Sequence, residues 1–452
     1  MGNPPFVGST FQTKEQKADC TIVFKGMDGA GVLDLVAAWH VKAARYIQAN
    51  TAIPVAFVST NSLTQGGQVA LLWTELLKLN IKLHFAHRTF QWSNEGKGIA
   101  AVHCVIMGFI CARGEKFFAS TPHRLFDYGD NIKGLPTEIT AKQINPYLVD
   151  ADTVLIDKRT KPLNPNVPEM VYGSKPTDGG NLLLSQAEAD NIRQNDPIAA
   201  KYIRLFIGAE EFIKNIPRYC LWLKDSTSED RIKSPEIKRR MAAVVKMRSA
   251  STDKETLKDA GTPYLFQKIR QTDQPYLLIP SVSSEQRNFI PIGYFPASVI
   301  ASNACFMLPN ASLYYFGILC STFHNAWMRT VCGRLKSDYR YSNTIVYNNF
   351  PFPQAVKPDH QQKIETAALA ILDARTAEET RCADQGQRCS LAQLYAPNNM
   401  PETLRKAHNQ LDKAVDAAYG YKPSKVEGSK KDDAARVAFL FKIYQSIATG
   451  LP

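Results

Sequence analysis

The chain has 452 residues, of which 44% are hydrophobic, so a folded protein with a sizeable core is expected and disorder is not. No apolar run reaches the roughly 18 residues of a membrane span, and Met1 leads into a polar turn rather than a signal peptide, so a cytoplasmic protein is expected. The formal charge of +12 admits a polyanionic partner if motifs support one. Nine cysteines are scattered through apolar stretches, and the Cys382/Cys389 pair has no His or Cys cluster beside it. Reduced thiols and no metal site are therefore expected.

The chain opens with Gly2-Asn3-Pro4-Pro5-Phe6. An asparagine followed by two prolines reads first as a turn. Leu33 to Ile47 carries apolar residues at helical spacing, Val55 to Thr60 suits a buried strand, and Gly67 to Leu79 reads as a second helix. Lys82 to His87 and Ala101 to Phe109 read as two further strands, an antiparallel edge hairpin. Between them lies a polar loop with Phe90, Trp92, Asn94, Gly96 and Gly98. Alternating helices and buried strands predict an α/β layered sheet over residues 1–125. Gly26-Met-Asp-Gly-Ala-Gly31 resembles a cofactor glycine loop. Only Thr21 to Phe24 offers a strand before it, so it reads as a loop entering the next helix.

From about 126 to 355 the pattern changes to α+β. Thr153–Ile156, Tyr276–Ile279 and Phe289–Ile292 are strand-like. Helix starts are marked by the capping-box pair Ser185 and Glu188, and by Asp196-Pro197 and Ser234-Pro235. From about 360 the chain reads as helices over 363–375, 401–419 and 432–448, with Pro351, Pro353 and Pro358 near the boundary.

Asn-Pro-Pro-aromatic is also the motif with which enzymes methylate an exocyclic amine, usually N6 of adenine. That lone pair is delocalised into the ring and is a poor nucleophile. The Asn3 side-chain carbonyl and the Pro4 backbone carbonyl would accept hydrogen bonds from the amine, drawing the nitrogen toward tetrahedral geometry and its lone pair toward a sulfonium methyl. Pro4 and Pro5 stiffen the turn before the substrate arrives. Phe6 offers a flat face to a base flipped out of the duplex, with Phe90 or Trp92 as the opposing face; a core aromatic after a loop is the competing reading of Phe6.

The segment Arg231–Arg248 is dense in basic residues, and Lys238, Arg239 and Arg240 are candidate phosphate contacts, with a solvated helix face as the alternative. Glu285 and Arg287, at alternate positions of an expected extended segment, are typed for the cytosine and guanine edges of a base pair. A surface ion pair is the competing explanation. Arg340 and Asn343 are further base readers, beside Tyr339 and Tyr341 as packing or phosphate contacts.

Four segments resemble the MmeI-like family of DNA adenine methyltransferases: Gly2 to Ser9, Leu33 to Trp39, Phe85 to Asn94, and Tyr339 to Phe352. Met400-Pro401, Leu404 to His408 and Leu411-Asp412 resemble the family's C-terminal helical region, so the likeness covers nearly the whole chain. The resemblance implies three parts. Residues 1–125 would be the C-terminal half of a class I (Rossmann-like) methyltransferase sheet, 126–355 an α+β target recognition domain, and 356–452 a helical domain. It also implies S-adenosylmethionine as cofactor, double-stranded DNA as partner, and a place in restriction-modification or phage defence. Family members often carry a nuclease, a helical spacer and the cofactor glycine motif ahead of Asn-Pro-Pro-aromatic. No match to that glycine motif is evident downstream. The expectation is a catalytic and DNA-reading part separated from its cofactor half. The alternatives are a non-catalytic DNA-binding remnant, or one subunit of a split enzyme whose cofactor half is a separate polypeptide.

Overall fold

The computed structural model describes residues 1–92, 102–129, 131–423 and 433–449. They form two compact units that do not follow chain order. One holds 1–165, 322–353 and 421–452, the other 166–321 and 354–420.

The first unit is built on a five-stranded sheet flanked by helices α1 (Lys14–Val23), α2 (Leu35–Tyr46) and α3 (Gln68–Lys78). Its strands are β1 (Val55–Thr60), β2 (Ile81–Trp92), β3 (Val102–Cys111), β4 (His123–Asp127) and β5 (Thr137–Ala141), in spatial order β1-β3-β2-β4-β5. The expected antiparallel hairpin is present, but β3 inserts between β2 and β1 and pairs antiparallel with both. β4 joins β2 in parallel. Helix α2 buries Leu35, Val36, Val41 and Ala44, whereas Trp39 on its outer side is 48% exposed. Gly2 pairs with the free edge of β1: its N–H donates to Ala56 O at 3.0 Å, and its carbonyl accepts from Val58 at 3.1 Å. A Cβ at Gly2 would stand 3.1 Å from the Phe57 ring, so a larger residue would require that ring to shift by a few tenths of an ångström.

The later segments of this unit are helix Thr322–Val331, the strand pair Gly333–Leu335 and Asp338–Arg340, a π-helical turn at Asn343–Tyr347, and helix Asp433–Thr449. The long Tyr339–Phe352 segment is largely a packing element. Tyr341, Val346, Tyr347, Phe350 and Phe352 are buried, and Trp327 Nε1 donates to Val346 O at 3.0 Å.

The second unit contains two four-stranded sheets. One is centred on Tyr276–Pro280 and Cys305–Pro309, the other on Ile203–Ile207 and Tyr219–Leu221. The expected caps form: Ser185 and Glu188 close a capping box at α4 (Gln186–Asn195), and Asp196 and Ser234 each cap a helix with proline in its first turn. Helices Pro358–Asp384 and Glu402–Tyr419 pack along one another in this unit.

Two strand expectations fail, and Thr21–Phe24, which precedes Gly26–Gly31, is the end of α1 and its cap. Thr153–Ile156 joins no ladder; the Ile156 N–H is taken by the Tyr147 hydroxyl at 2.9 Å. Phe289–Ile292 is broken by Pro291, which has no N–H for a ladder, and the strand begins only at Gly293.

Candidate functional site

The segment Asn3–Phe6, expected as a turn, is an irregular stretch closed by no backbone hydrogen bond, and it leaves the sheet where Gly2 detaches from β1. Asn3 is exposed, Pro4 is buried and Phe6 is half-buried. Neither the Asn3 side chain nor the Pro4 carbonyl has a hydrogen-bond partner among the described residues. The two acceptors that an amine would need are thus unspent among the described residues, on a segment whose prolines restrict φ. The chain leaving the turn is held at Val7, whose carbonyl accepts the Leu35 N–H at 2.9 Å.

Phe90 and Trp92 differ from expectation. Both lie on β2, which runs on to Trp92, rather than in a loop. The loop residues Ser93, Asn94, Gly96 and Gly98 lie outside the described residues. Strand register sets the aromatic pair relative to the turn. Gly2 is level with Phe57, and Thr60, at the end of β1, is level with Cys104 and through it with Phe90. The Asn3 turn and Phe90 therefore emerge at the same end of the sheet. Phe90 and Trp92 pack at a ring separation of 6.0 Å, while Phe6 makes no ring contact with either among the described residues.

The sequence reading missed the rings behind this pair. Tyr128 stacks on Phe90 at 5.2 Å, and its hydroxyl lies 2.9 Å from His87 Nδ1. His87 stacks on Phe126 at 4.3 Å. Burial lowers the His87 pKa and raises that of Tyr128, so both rings stay neutral near pH 7. A register shift between His87 and Phe90 bulges β2 here. Arg88 pins the bulge, pairing with Asp127 at 2.5 Å and donating to Leu148 O at 2.9 Å. Only an aromatic just after a strand, Tyr128, could have signalled this cluster, because its partners lie 38 to 41 positions away.

The candidate DNA-contacting residues divide between the units. Arg340 and Asn343 belong to the first, with the Asn3 turn; Lys238, Arg239, Arg240, Glu285 and Arg287 belong to the second. Arg340 is exposed at the end of its strand, and Asn343 opens the π-helical turn. Their hairpin is docked onto the loop before α3: Gly66 N–H donates to Val331 O at 3.0 Å, and Arg334 Nε to Gln65 at 3.2 Å. Tyr339 and Tyr341 are packing residues, Tyr341 bonding His324 at 2.9 Å and Tyr339 lying under the Arg334 guanidinium at 3.9 Å. Glu285 and Arg287 do not alternate along a strand. They lie in a turn closed by Arg287 N–H to Ser284 O at 3.2 Å, so a common strand face is corrected to a common turn.

The basic helix Pro235–Ser249 requires a sharper correction. Lys238 is exposed and makes no ion pair among the described residues. Arg239 is exposed but forks onto Glu236 at 2.9 and 2.7 Å. Arg240 is 4% exposed, bonded to Glu236, Glu188 and the Asn181 carbonyl, so it braces the helix and is not available to phosphate. Arg248 is fully buried and donates to the carbonyls of Pro176, Thr177, Asp259, Thr262 and Leu265. Arginine's five N–H donors suit such carbonyl nests as well as they suit a phosphate, which is why charge density alone misread these two.

The Gly26–Gly31 loop does not fit an S-adenosylmethionine glycine loop. Gly26–Gly31 follows a helix and leads into a single 3-10 turn, Ala30–Val32, whereas a cofactor loop follows a buried strand. Among the described residues, no group of three or more His, Cys, Asp or Glu is placed to hold a metal ion, and all nine cysteines are free and buried.

Comparison with known proteins places these features in one lineage. Residues 1–125 match the DNA-methyltransferase domain of MmeI, 150–354 its target recognition domain and 356–452 its C-terminal domain. The chain is 38% identical over 449 residues to DNA methyltransferase A of Bacillus subtilis (strain 168), covering 99% of this chain and 47% of that protein. It superposes on the Type IIL restriction-modification enzyme MmeI in complex with DNA with a TM-score of 0.87 at 48% identity, covering 99% of this chain and 57% of that one. The chain thus spans about half the length of the proteins it matches. With an α/β methyltransferase sheet, an α+β recognition region and C-terminal helices, it belongs to the MmeI-like family of DNA methyltransferases.

Proposed function

We propose that the chain supplies the target-base site and the sequence-reading surface of a site-specific adenine-N6 DNA methyltransferase of a restriction-modification or phage-defence system. The observation that carries this reading is the pair of acceptors without a partner among the described residues, the Asn3 side chain and the Pro4 carbonyl, on a proline-stiffened segment at the end of β1. An exocyclic amine offers two N–H donors, and two convergent acceptors draw its nitrogen out of conjugation with the ring. Phe6 on one side, and Phe90 or Trp92 on the other, are the faces for a base extruded from the duplex. Double-stranded DNA is the partner: Glu285, Arg287, Arg340 and Asn343 read base edges, and Lys238 contacts phosphate, with Arg239 available if it leaves Glu236. S-adenosylmethionine supplies the methyl group from a part of the enzyme outside these residues, and the system acts in the cytoplasm.

The experiment is methylation of duplex DNA by the enzyme carrying these residues. Asn3→Ala is expected to abolish methyl transfer while DNA affinity is retained; full methylation by the variant would refute the assignment. In a second reading the chain is one subunit of a split enzyme, completed by a separate polypeptide with the cofactor half. Co-purification of a second polypeptide that confers S-adenosylmethionine binding would establish it.

A further inference from the structure

Asp34 stands at the N-cap of α2, where an aspartate ordinarily accepts a hydrogen bond from the second or third N–H of its own helix. Here it makes no such bond. Its Oδ1 instead accepts the Ser9 N–H at 3.3 Å, and its Oδ2 accepts the Ser62 hydroxyl at 2.6 Å. Its own N–H donates to Gln68 Oε1 at 3.1 Å, at the start of α3. Ser62 Oγ in turn lies 2.8 Å from Thr60 Oγ1, at the end of β1. One carboxylate therefore joins the chain leaving the Asn3 turn to the end of β1, and its backbone joins both to α3.

The turn needs such an external hold. Pro4 and Pro5 carry no N–H, so the turn cannot be anchored through its own donors at those positions. Its entry is fixed by the pairing of Gly2 with β1, at 3.0 and 3.1 Å. Its exit is fixed by Val7 O to Leu35 N–H at 2.9 Å and by Ser9 N–H to Asp34, with Gln12 Nε2 donating to Leu33 O at 3.2 Å farther along. A capping residue that forgoes its local bond for partners 25 and 28 positions away acts on tertiary geometry rather than on helix stability.

We propose that Asp34 is a positioning residue for the amine-binding turn, holding the exit of Asn3–Phe6 against the end of β1. The proposal rests on the reading of that turn as the amine site. Asp34→Ala removes both side-chain contacts. Asp34→Asn restores them without the charge, its oxygen accepting from Ser9 and its amide donating to the Ser62 hydroxyl oxygen.

Two measurements test it. Amide exchange on the full chain is expected to accelerate about 10-fold or more over residues 7–11 in Asp34→Ala, with β1 and β3 unchanged and Asp34→Asn close to wild type. In the methylation assay, kcat is expected to fall about 10- to 100-fold in Asp34→Ala without loss of DNA affinity, and to recover largely in Asp34→Asn. Unchanged exchange at 7–11, or acceleration spread evenly through β1 and β3, would overturn the proposal, since the second outcome marks an ordinary stabilising cap. An unchanged kcat alongside loosened residues 7–11 would also overturn it. The Asn3→Ala control separates the two readings: if that variant still methylates, the amine site lies elsewhere, whatever Asp34 does to the turn.

Discussion

Replacement of Arg240 by alanine separates a structural arginine from a DNA-contacting one. Its side chain is 5% exposed and bonds Glu236 at 2.6 Å and Glu188 at 2.9 Å. It also donates to Asn181 O at 2.7 Å. The Glu188 carboxyl is held down to about 2, first by the Ser185 backbone N–H and then by Arg240. Glu188 is 50% exposed, so losing Arg240 returns that carboxylate largely to water, and the ion pair itself contributes at most about 1 kcal/mol. The larger cost lies with the Asn181 carbonyl, about 1–3 kcal/mol when left unpaired, whereas Glu236 keeps its fork from Arg239. The expected destabilisation is about 1–4 kcal/mol. For a unit of roughly 150–250 residues this lowers Tm by about 2–15 °C. Lys238→Ala, on the same helix but exposed, is expected to leave Tm within about 1 °C while reducing the slope of log K against log[salt] by about 0.9. The assays are thermal unfolding and DNA binding across a salt series at a temperature where both variants are folded. A full-strength Tm for Arg240→Ala together with a reduced salt slope would refute the structural assignment and restore Arg240 to the phosphate contacts.

Replacing Glu285 and Arg287 together is expected to relax the methylated sequence at one position, losing about 1–3 kcal/mol of discrimination per base contact; mapping of methylated sites that finds no change would reduce them to surface residues. Stability is expected to fall as pH drops below about 6.5. Burial depresses His40 to about 4, and His324 and His408 to about 3, so these rings are neutral when folded and protonated when unfolded. Stability is complete above the unfolded pKa and is lost toward pH 4 and below, by up to about 1.4 kcal/mol per pH unit for each ring; denaturant titrations at pH 7 and 5 with equal midpoints would contradict this. Calorimetry of this chain with S-adenosylmethionine is expected to show negligible binding, and a stoichiometric isotherm would reveal a cofactor site that Gly26–Gly31 does not provide.

What the sequence determined by itself was local or periodic. The helices from Leu35, Gln68 and Glu402, and the Ser185, Asp196 and Ser234 caps, depend on residues a few positions apart, and each is found where its spacing placed it. The long Tyr339–Phe352 segment marked the family, although much of what makes it distinctive is burial. Tertiary structure decided which polar groups are spent and which remain open. Arg240 and Lys238 share one charge and one helix, yet only the fold brings the Asn181 carbonyl within 2.7 Å of the first and leaves the second in water. It also decided the company of the Asn3 turn. Register across β1, β3 and β2 carries Phe90 to the same sheet end, and the Asp34 carboxylate is turned from its helix to Ser9 and Ser62. Such contacts span tens of residues and depend on strand order and on competition for donors, and neither is encoded in any short stretch of chain.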